Sequence, residues 1–285
     1  MWDIYLGIVI IIAVSAVLFL VGVKASRSLP AVASSLLAVA SVVFILGFWQ
    51  LLYGQLTLTK LLSFSNVIVT GNWIPPGAAL LAGILWGKRK LKPWRRGITC
   101  VLLCFVALYC LVESLVGQTP PVRYRWTREG ICIQTSQASC SACSAATLLR
   151  YHGIPASEAE MAALCLTRSR GTRPLGLYRG LKIKTRNTRW RVEAFKTDLE
   201  GLRSMLTTPV IVSVGPEPNA DVEPRYEREL GWRPGLAHSV VLYGFTSLGR
   251  IRVADPKAGY QIWRAEVLEV WWHGTGLRLV ERDSP

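Results

Sequence analysis

Residues 134–153, QTSQASCSACSAATLLRYHG, carry two of the chain's seven cysteines and follow its last long apolar segment. Ser139 has the side chain of a helix N-cap, the residues after it include few helix breakers, and Gly153 suits the position just past a helix end. The pattern predicts a helix that begins near Cys140. Cys140 then lies in a first helical turn, where unpaired backbone N–H groups and the positive end of the helix dipole favour a thiolate.

A cysteine in this position has two interpretations. It is either a reactive nucleophile or a small hydrophobic side chain that packs in the core, since free cysteines are among the most buried residues. The choice depends on partner residues elsewhere in the chain.

The first part of the chain is predicted to be a transmembrane unit. The 285 residues are 51% hydrophobic, and four stretches nearly free of charge each reach the length of about 20 residues that a bilayer requires. We predict a unit over residues 1–117 with spans at 4–23, 30–56, 66–87 and 97–117. Asn72, Pro75 and Pro76 interrupt the third span, so its membrane part begins near Trp73, or its first half re-enters or lies at the interface.

Basic residues predict the orientation of this unit. The run KRKLKPWRR at residues 88–96 and the loop with Lys24 and Arg27 fall on one side if there are four spans, and the positive-inside rule makes that side cytoplasmic. The first segment lacks the basic start and cleavage site of a signal peptide. We therefore expect an integral protein of a bacterial plasma membrane, with its C-terminal part extracytoplasmic.

The formal net charge is +15, but it does not predict a nucleic-acid partner. The bases of the C-terminal part are scattered among acids and form no nucleic-acid motif. Anionic lipid surfaces explain the basic excess more simply, and the lipid bilayer is the predicted partner.

After a linker at residues 118–128, residues 129–285 read as an α+β domain with N-terminal helices and a mostly antiparallel sheet. Ser157 and Glu160 form a capping box for a second helix, and a third covers 175–181. Five strand-like segments follow, at 189–195, 209–215, 238–245, 250–256 and 275–281. The loop at 216–235 is a candidate wall of a binding cleft.

His238 opens one of these strands and Asp255 ends the next. If the two strands pair through a tight turn, the imidazole lies beside the carboxylate. A thiol nucleophile needs a base within hydrogen-bond reach and a third group that fixes the base's tautomer. The other histidines, His152 at a helix end and His273 in a Trp-rich turn, have no acid in a comparable position.

Together these residues resemble the bacteriocin-processing, double-glycine-leader cysteine peptidases (clan CA, family 39), papain-like domains often fused to ABC transporters. The family has a Gln six residues before its Cys, as Gln134 precedes Cys140. Over residues 129–280 the fit extends to SEAEM at 157–161, the turn at 171–172, HSVVLYG at 238–244 and ADP at 254–256. The resemblance implies Cys140 as nucleophile, His238 as general base, Asp255 as the residue that orients it, and Gln134 as oxyanion donor.

The resemblance also predicts a peptide or protein substrate near the membrane and no metal or organic cofactor. Two departures stand out: the family has Gly-Pro after the Cys where this chain has Ser141-Ala142, and an aromatic residue where it has Ala138. An added side chain next to the nucleophile could crowd the substrate cleft.

Two alternatives remain open. The domain could be an inactive peptidase-like module that binds peptides, which the Ser141-Ala142 departure favours. Cys140 and Cys143 also form a CxxC at a helix start, as in membrane thiol-disulfide oxidoreductases, and could close a reversible disulfide. Against the redox function, the segment before this CxxC is polar and turn-like rather than a strand, so Cys143 is more simply a packing residue.

Overall fold

In the computed structural model, residues 1–88, 92–113, 115–216 and 234–282 are described. The chain divides into two compact units, Met1–Val116 and Gly117–Pro285. The basic loop at 88–96 and the loop at 216–235 lie partly outside the described residues.

The N-terminal unit is helical. Its elements are α1 (Trp2–Ser28), α2 (Ala31–Leu51), the short α3 (Leu58–Leu61) and α4 (Val67–Thr70), α5 (Ile74–Gly87) and α6 (Pro93–Val112). Four segments are long and apolar enough to cross a membrane: Trp2–Ser28, Ala31–Leu51, Val67–Gly87 and Pro93–Val112. The third is mostly buried within the unit, whereas the other three expose most of their apolar side chains, as helices facing lipid would.

The break in the third segment falls at residues 71–73, between α4 and α5. Pro75 and Pro76 begin α5 rather than interrupt it, because N–H groups in a first turn have no helical partner. Asn72 compensates for the break: its Nδ2 donates to the carbonyl of Cys110 at 2.9 Å, and its Oδ1 accepts from the N–H of Ile74 at 3.2 Å. These bonds satisfy polar groups that lipid could not.

The C-terminal unit is an α+β domain, as predicted. Three helices come first, α7 (Cys140–Tyr151), α8 (Glu158–Leu164) and α9 (Pro174–Lys184). The strands follow: β1 (Trp190–Lys196), β2 (Val210–Val214), β3 (His238–Phe245), β4 (Ile251–Asp255), β5 (Gly259–Trp263) and β6 (Trp272–Glu281). They form one sheet in the order β1-β6-β2-β3-β4-β5, and every neighbouring pair is antiparallel.

Three elements of this unit were not predicted from the sequence. They are α10 (Leu199–Met205), α11 (Ala265–Trp271) and β5. They are five to seven residues long and lack the capping box that marked α8 and the runs of β-branched residues that marked β2 and β3. His273, which we expected in a turn, lies in β6 because the chain passes directly from α11 into that strand.

The core of the domain lies against the sheet. Alternate residues of β2 and β3, among them Val210, Val212, Val240 and Leu242, are fully or almost fully buried with Leu202 of α10 and Leu268 of α11. Helix α7 is buried along most of its length, from Ser141 to Leu149. The helix that begins at Cys140 is therefore a core element of the fold.

Candidate active site

Helix α7 begins at Cys140, as predicted, and Ser139 occupies the N-cap position. The expected cap hydrogen bond is absent, however. The Ser139 hydroxyl, which has one hydrogen to donate, lies 2.6 Å from Oε1 of Glu158 and 2.8 Å from the carbonyl of Ser136 instead. Ser139, which was predicted to cap the helix, thus anchors the loop before it, because a hydrogen bond to a buried carboxylate is stronger than one between neutral groups.

His238 and Asp255 meet as the strand pattern predicted. Strands β3 and β4 are antiparallel neighbours, which brings the start of one to the end of the other. Nε2 of His238 lies 2.9 Å from Oδ1 of Asp255, and the Asp255 side chain is 2% exposed. The same oxygen accepts from the backbone N–H of Lys257 at 2.7 Å, which fixes the carboxylate.

Cys140 is the second partner of His238. The thiol hydrogen-bonds to the imidazole, and because Nε2 faces Asp255, the ring nitrogen on the cysteine side is Nδ1. Helix α7 thus supplies the thiol, β3 the imidazole and β4 the carboxylate. The structure brings three of the four predicted site residues into one hydrogen-bonded chain.

The electrostatics around Cys140, His238 and Asp255 favour a thiolate–imidazolium pair. Burial opposes a charge on Cys140, but hydrogen bonding and attraction to His238, with smaller contributions from the Ser239 N–H and the Ser141 side chain, lower its pKa. Burial also opposes a charge on His238, but hydrogen bonds to Asp255 and Cys140 raise its pKa to about 9. Both shifts stabilise the charged forms at neutral pH.

The backbone of Gln134 is bonded to the residue that follows Asp255, whereas its side chain bonds within its own loop. Its backbone N–H donates to the carbonyl of Pro256 at 2.8 Å, which ties it to the end of β4. Its side-chain Nε2 donates to the carbonyl of Ser136 at 3.1 Å, while its Oε1 is buried and has no partner among the described residues. An oxyanion role for Gln134 stays a prediction.

Glu158 is a residue of the site that sequence reasoning missed. Its carboxylate is buried and accepts from the N–H and the hydroxyl of Thr135, each at 2.9 Å, besides the hydroxyl of Ser139. Three charge-assisted bonds therefore hold the loop that separates Gln134 from Cys140. The sequence offered one signal, a carboxylate in the first turn of α8, but it is equally typical of a solvated helix start.

Ser141 and Ala142, the departures from the family pattern, both turn into the protein. Ala142 is fully buried and Ser141 is 6% exposed. The Ser141 hydroxyl lies 2.7 Å from the hydroxyl of Ser239, and Ser144 donates to the carbonyl of Ser239 at 2.9 Å. The Ser141 hydroxyl is thus directed towards β3 and Ala142 is buried, so crowding of an open cleft does not follow from them.

Cys143 is fully buried and its thiol hydrogen-bonds to Cys132 and Glu158. The contact with Cys132, together with burial and the charge of Glu158, raises the pKa of Cys143 far above its ordinary value. Cys140 and Cys143 are both free thiols. Within the described residues, no group of three or more His, Cys, Asp or Glu side chains could hold a metal ion.

His152 lies at the C-terminal end of α7, where its backbone N–H donates to the carbonyl of Leu149 at 3.1 Å. Its ring packs edge-on against Trp190, with centroids 4.2 Å apart, and against Tyr151. Burial, with a smaller effect from Arg189, lowers its pKa. The environments of His152 and His238 therefore push their pKa values in opposite directions.

The helix that begins at Cys140 and the antiparallel sheet against which it packs give the α+β arrangement that the predicted resemblance implies. The match to a particular family agrees: the model of the Peptidase C39 family matches residues 128–220. The predicted resemblance to the bacteriocin-processing peptidases is thereby confirmed for this part of the chain. The matched range includes Gln134 and Cys140 and ends before His238 and Asp255.

Solved structures of peptidase domains are similar to part of this chain. The peptidase domain of Streptococcus ComA, a bi-functional ABC transporter involved in quorum sensing, is 21% identical and has a TM-score of 0.41, with 53% of this chain and 97% of that chain covered. A double glycine motif protease from an AMS/PCAT transporter, solved with its leader peptide, is 18% identical with a TM-score of 0.39, covering 59% and 96%. The search of curated proteins found no match.

Proposed function

We propose that the C-terminal unit is an active cysteine peptidase that hydrolyses peptide bonds through Cys140, His238 and Asp255. The observation that carries this proposal is the hydrogen-bonded chain from the thiol through the imidazole to a buried carboxylate. A structural histidine does not require a thiol on one ring nitrogen and a carboxylate on the other. A catalytic histidine does require both: the thiol next to it must be ionised, and the carboxylate must keep the imidazole in one tautomer.

In the proposed acylation step, the Cys140 thiolate attacks the carbonyl carbon of the scissile peptide bond. A tetrahedral oxyanion forms, and the backbone N–H of Cys140 in the first turn of α7 is free of a helical partner and can donate to it. As the C–N bond breaks, Nδ1 of His238 gives its proton to the leaving amine. The product is a thioester on Cys140.

Deacylation reverses these roles. Neutral His238 takes a proton from a water molecule, the hydroxide attacks the thioester carbonyl, and the Cys140 thiolate leaves as a carboxylic acid product departs. Asp255 accepts from Nε2 throughout, which keeps Nδ1 facing the sulfur and stabilises the imidazolium whenever it forms.

Gln134 is proposed as the second oxyanion donor. Its amide would exchange the Ser136 carbonyl, its present acceptor at 3.1 Å, for the substrate oxyanion. The main chain of this loop is held by the bond from Gln134 to Pro256 and by the contacts of Thr135 with Glu158. The proposed exchange of acceptor therefore needs only a rotation of the Gln134 side chain. A donor of this kind contributes about 3 kcal/mol to transition-state stabilisation.

We place this activity at a membrane, because four helices long and apolar enough to span one precede the domain. The basic loops predict an extracytoplasmic domain, whereas double-glycine leaders are cut on the cytoplasmic side in the resembling family. A reporter fused to the C-terminus decides between the two sides of the membrane. Activity of a reporter that works only outside the cytoplasm supports the orientation proposed here, and activity of one that works only in the cytoplasm favours leader processing.

Cleavage of a peptide panel by the full chain in lipid nanodiscs tests the proposal. The panel includes segments ending in Gly-Gly beside unrelated sequences. We expect cleavage by the wild type and by Cys143→Ala, and a loss of at least about a hundredfold in Cys140→Ala. Cleavage that survives in Cys140→Ala would refute the assignment. Binding of a panel peptide without any turnover would establish the alternative, a peptide-binding module.

A further inference from the structure

A buried carboxylate holds the loop that carries Gln134. Glu158 of α8 is 2% exposed, and a carboxylate removed from water is costly unless its oxygens accept hydrogen bonds. Its Oε1 accepts from the N–H of Thr135 and its Oε2 from the Thr135 hydroxyl, each at 2.9 Å. Thr135 directly follows Gln134, so these two bonds fix the backbone from which the Gln134 side chain projects.

The Thr135 hydroxyl links this carboxylate to a second piece of main chain. The backbone N–H of Arg123 donates to the hydroxyl oxygen at 2.7 Å. A hydroxyl has one hydrogen of its own to donate, and Oε2 of Glu158 is its acceptor. Removal of this one oxygen therefore breaks two hydrogen bonds and leaves the N–H bond from Thr135 to Glu158 in place.

The same carboxylate fixes the other end of the loop. The Ser139 oxygen lies 2.6 Å from Oε1 of Glu158, and its one hydrogen goes to this charged acceptor. The carbonyl of Ser136 accepts from two amides, the side-chain Nε2 of Gln134 at 3.1 Å and the backbone N–H of Ser139 at 3.3 Å. When the Gln134 amide leaves, this carbonyl keeps its second donor.

The Gln134 side chain is only partly satisfied where it lies. Its Oε1 is buried and has no partner within the described part of the chain. Rotation of the side chain thus breaks one hydrogen bond between neutral groups, and an oxyanion would replace it with a stronger, charge-assisted one. The amide reaches a fixed point only if the backbone below it stays still, because a displacement of about an ångström already weakens catalysis strongly.

We propose that Glu158 and Thr135 form an oxyanion clamp, which holds the backbone of Gln134 while its amide moves to the substrate oxyanion. The clamp rests on the proposed function and on the proposed role of Gln134 in it. Glu158 and Thr135 are positioning residues that act through Gln134. The clamp gives a buried carboxylate outside the Cys140–His238–Asp255 chain a part in the same reaction.

The test is a double-mutant cycle on peptide cleavage by the full chain in lipid nanodiscs, with kcat/KM as the measured quantity. Thr135→Val removes the hydroxyl and keeps the shape of the side chain. We expect kcat/KM to fall by about tenfold to about a hundredfold, because a displaced oxyanion donor loses much of its effect. Thr135→Ser restores the hydroxyl and should restore most of the activity. In the Gln134→Ala background, Thr135→Val should have no further effect, since the donor it positions is gone.

A second measurement shows whether the thiol is disturbed. Alkylation of Cys140 by iodoacetamide, read by mass spectrometry on the peptide that carries it, follows the thiolate and needs no substrate. Its pH midpoint should be the same in wild type and Thr135→Val, because the clamp acts on the oxyanion donor. A shifted midpoint would overturn the clamp, since the loss of activity would then come from the nucleophile.

Thr147→Val is the matched control. The Thr147 hydroxyl is buried and accepts from the N–H of Cys132 at 3.0 Å, so this variant loses a bond of the same kind away from Gln134 and should keep its kcat/KM. An equal fall in Thr147→Val, or an undiminished effect of Thr135→Val in the Gln134→Ala background, would overturn the clamp and indicate loosened packing.

Two results would separate the clamp from the proposed function. Equal kcat/KM in wild type and Thr135→Val, or full activity in Gln134→Ala, would overturn the clamp and leave the peptidase proposal intact. A wild type that cleaves no peptide of the panel would instead contradict the proposed function, and the clamp with it.

Discussion

Replacement of Asp255 by asparagine tests the electrostatic core of the site. The carboxylate lies 2.9 Å from Nε2 of His238, and its hydrogen bond is the largest of the interactions that raise the pKa of that imidazole from 6.5 to about 9. Asparagine keeps the shape and an acceptor oxygen but removes the negative charge. We expect the pKa of His238 to fall towards 6.5 in Asp255→Asn.

The magnitude follows from the titration curve. At about pH 8, an imidazole with a pKa of about 9 is about nine-tenths protonated, whereas one near its ordinary value is less than about one-tenth protonated. The loss of the imidazolium also removes the attraction that holds Cys140 as a thiolate. The charged pair therefore becomes a minor form at that pH, and peptide cleavage should fall about tenfold or more.

The same shift has a consequence for stability. Because the folded pKa of His238 lies above its ordinary value, its protonation stabilises the fold fully below about pH 6.5, and this contribution is lost as the pH rises through about 9. The upper bound is about 3 kcal/mol, shared between Asp255 and Cys140. Wild type and Asp255→Asn should thus converge in unfolding free energy at alkaline pH.

The assay is an NMR titration of the imidazoles in the full chain, labelled with ¹⁵N histidine. The chain has three histidines, so His238→Gln assigns the signal, and His152, whose pKa is lowered, is an internal reference that Asp255→Asn should not move. A wild-type His238 that titrates near 6.5 would refute the ion pair. A pKa that stays near 9 in Asp255→Asn would show that Asp255 is not its cause.

Three further predictions concern the support of the site. Glu158→Gln should destabilise the domain by about 2–4 kcal/mol in denaturant unfolding, because it turns three charge-assisted bonds into weaker or opposed ones. Gly276→Ala should cost about 1–3 kcal/mol, since a Cβ there would lie 2.6 Å from the carbonyl of Ile211 and against the ring of Phe195. Cys143→Ala should leave the pH midpoint of Cys140 alkylation unchanged, because its thiol contacts Cys132 and Glu158.

Each of these has a matched control or a contrary outcome. Glu160→Gln, on the same helix, breaks one ion pair to Lys184 and should change stability by less than about 1 kcal/mol. Equal effects of the two glutamate variants would argue against a special role for Glu158. Gly97→Ala adds a Cβ with no atom within 4 Å and should be tolerated. A rise in Cys140 alkylation in Cys143→Ala without reductant would revive the interpretation of the pair as a redox CxxC, because the disulfide that blocks Cys140 could no longer form.

The order of elements was readable from the sequence because long apolar spans, a clean helix start and period-two strands are local patterns. The sequence predicted the four spans, α7, α8, α9 and five of the six strands, with ends that differ from the observed ones by a few residues. Gly153 has the positive φ expected just past a helix end, and Ser157 caps α8 by accepting from the N–H of Glu160. The Glu160 side chain bonds to Lys184 instead of closing the predicted capping box. The division at residue 117 and the orientation in the membrane remain predictions.

What the sequence determined by itself was which side chains had the chemistry for a peptidase and that a strand turn could bring His238 to Asp255. Only the tertiary structure decided what each of them contacts. Ser139 occupies the N-cap position but its hydroxyl bonds to Glu158, Ser141 points to Ser239 instead of crowding the cleft, and the free thiol of Cys143 lies against Cys132. The reason is physical: caps and strands depend on neighbours within a few residues, whereas the partner of a buried polar group comes from distant elements.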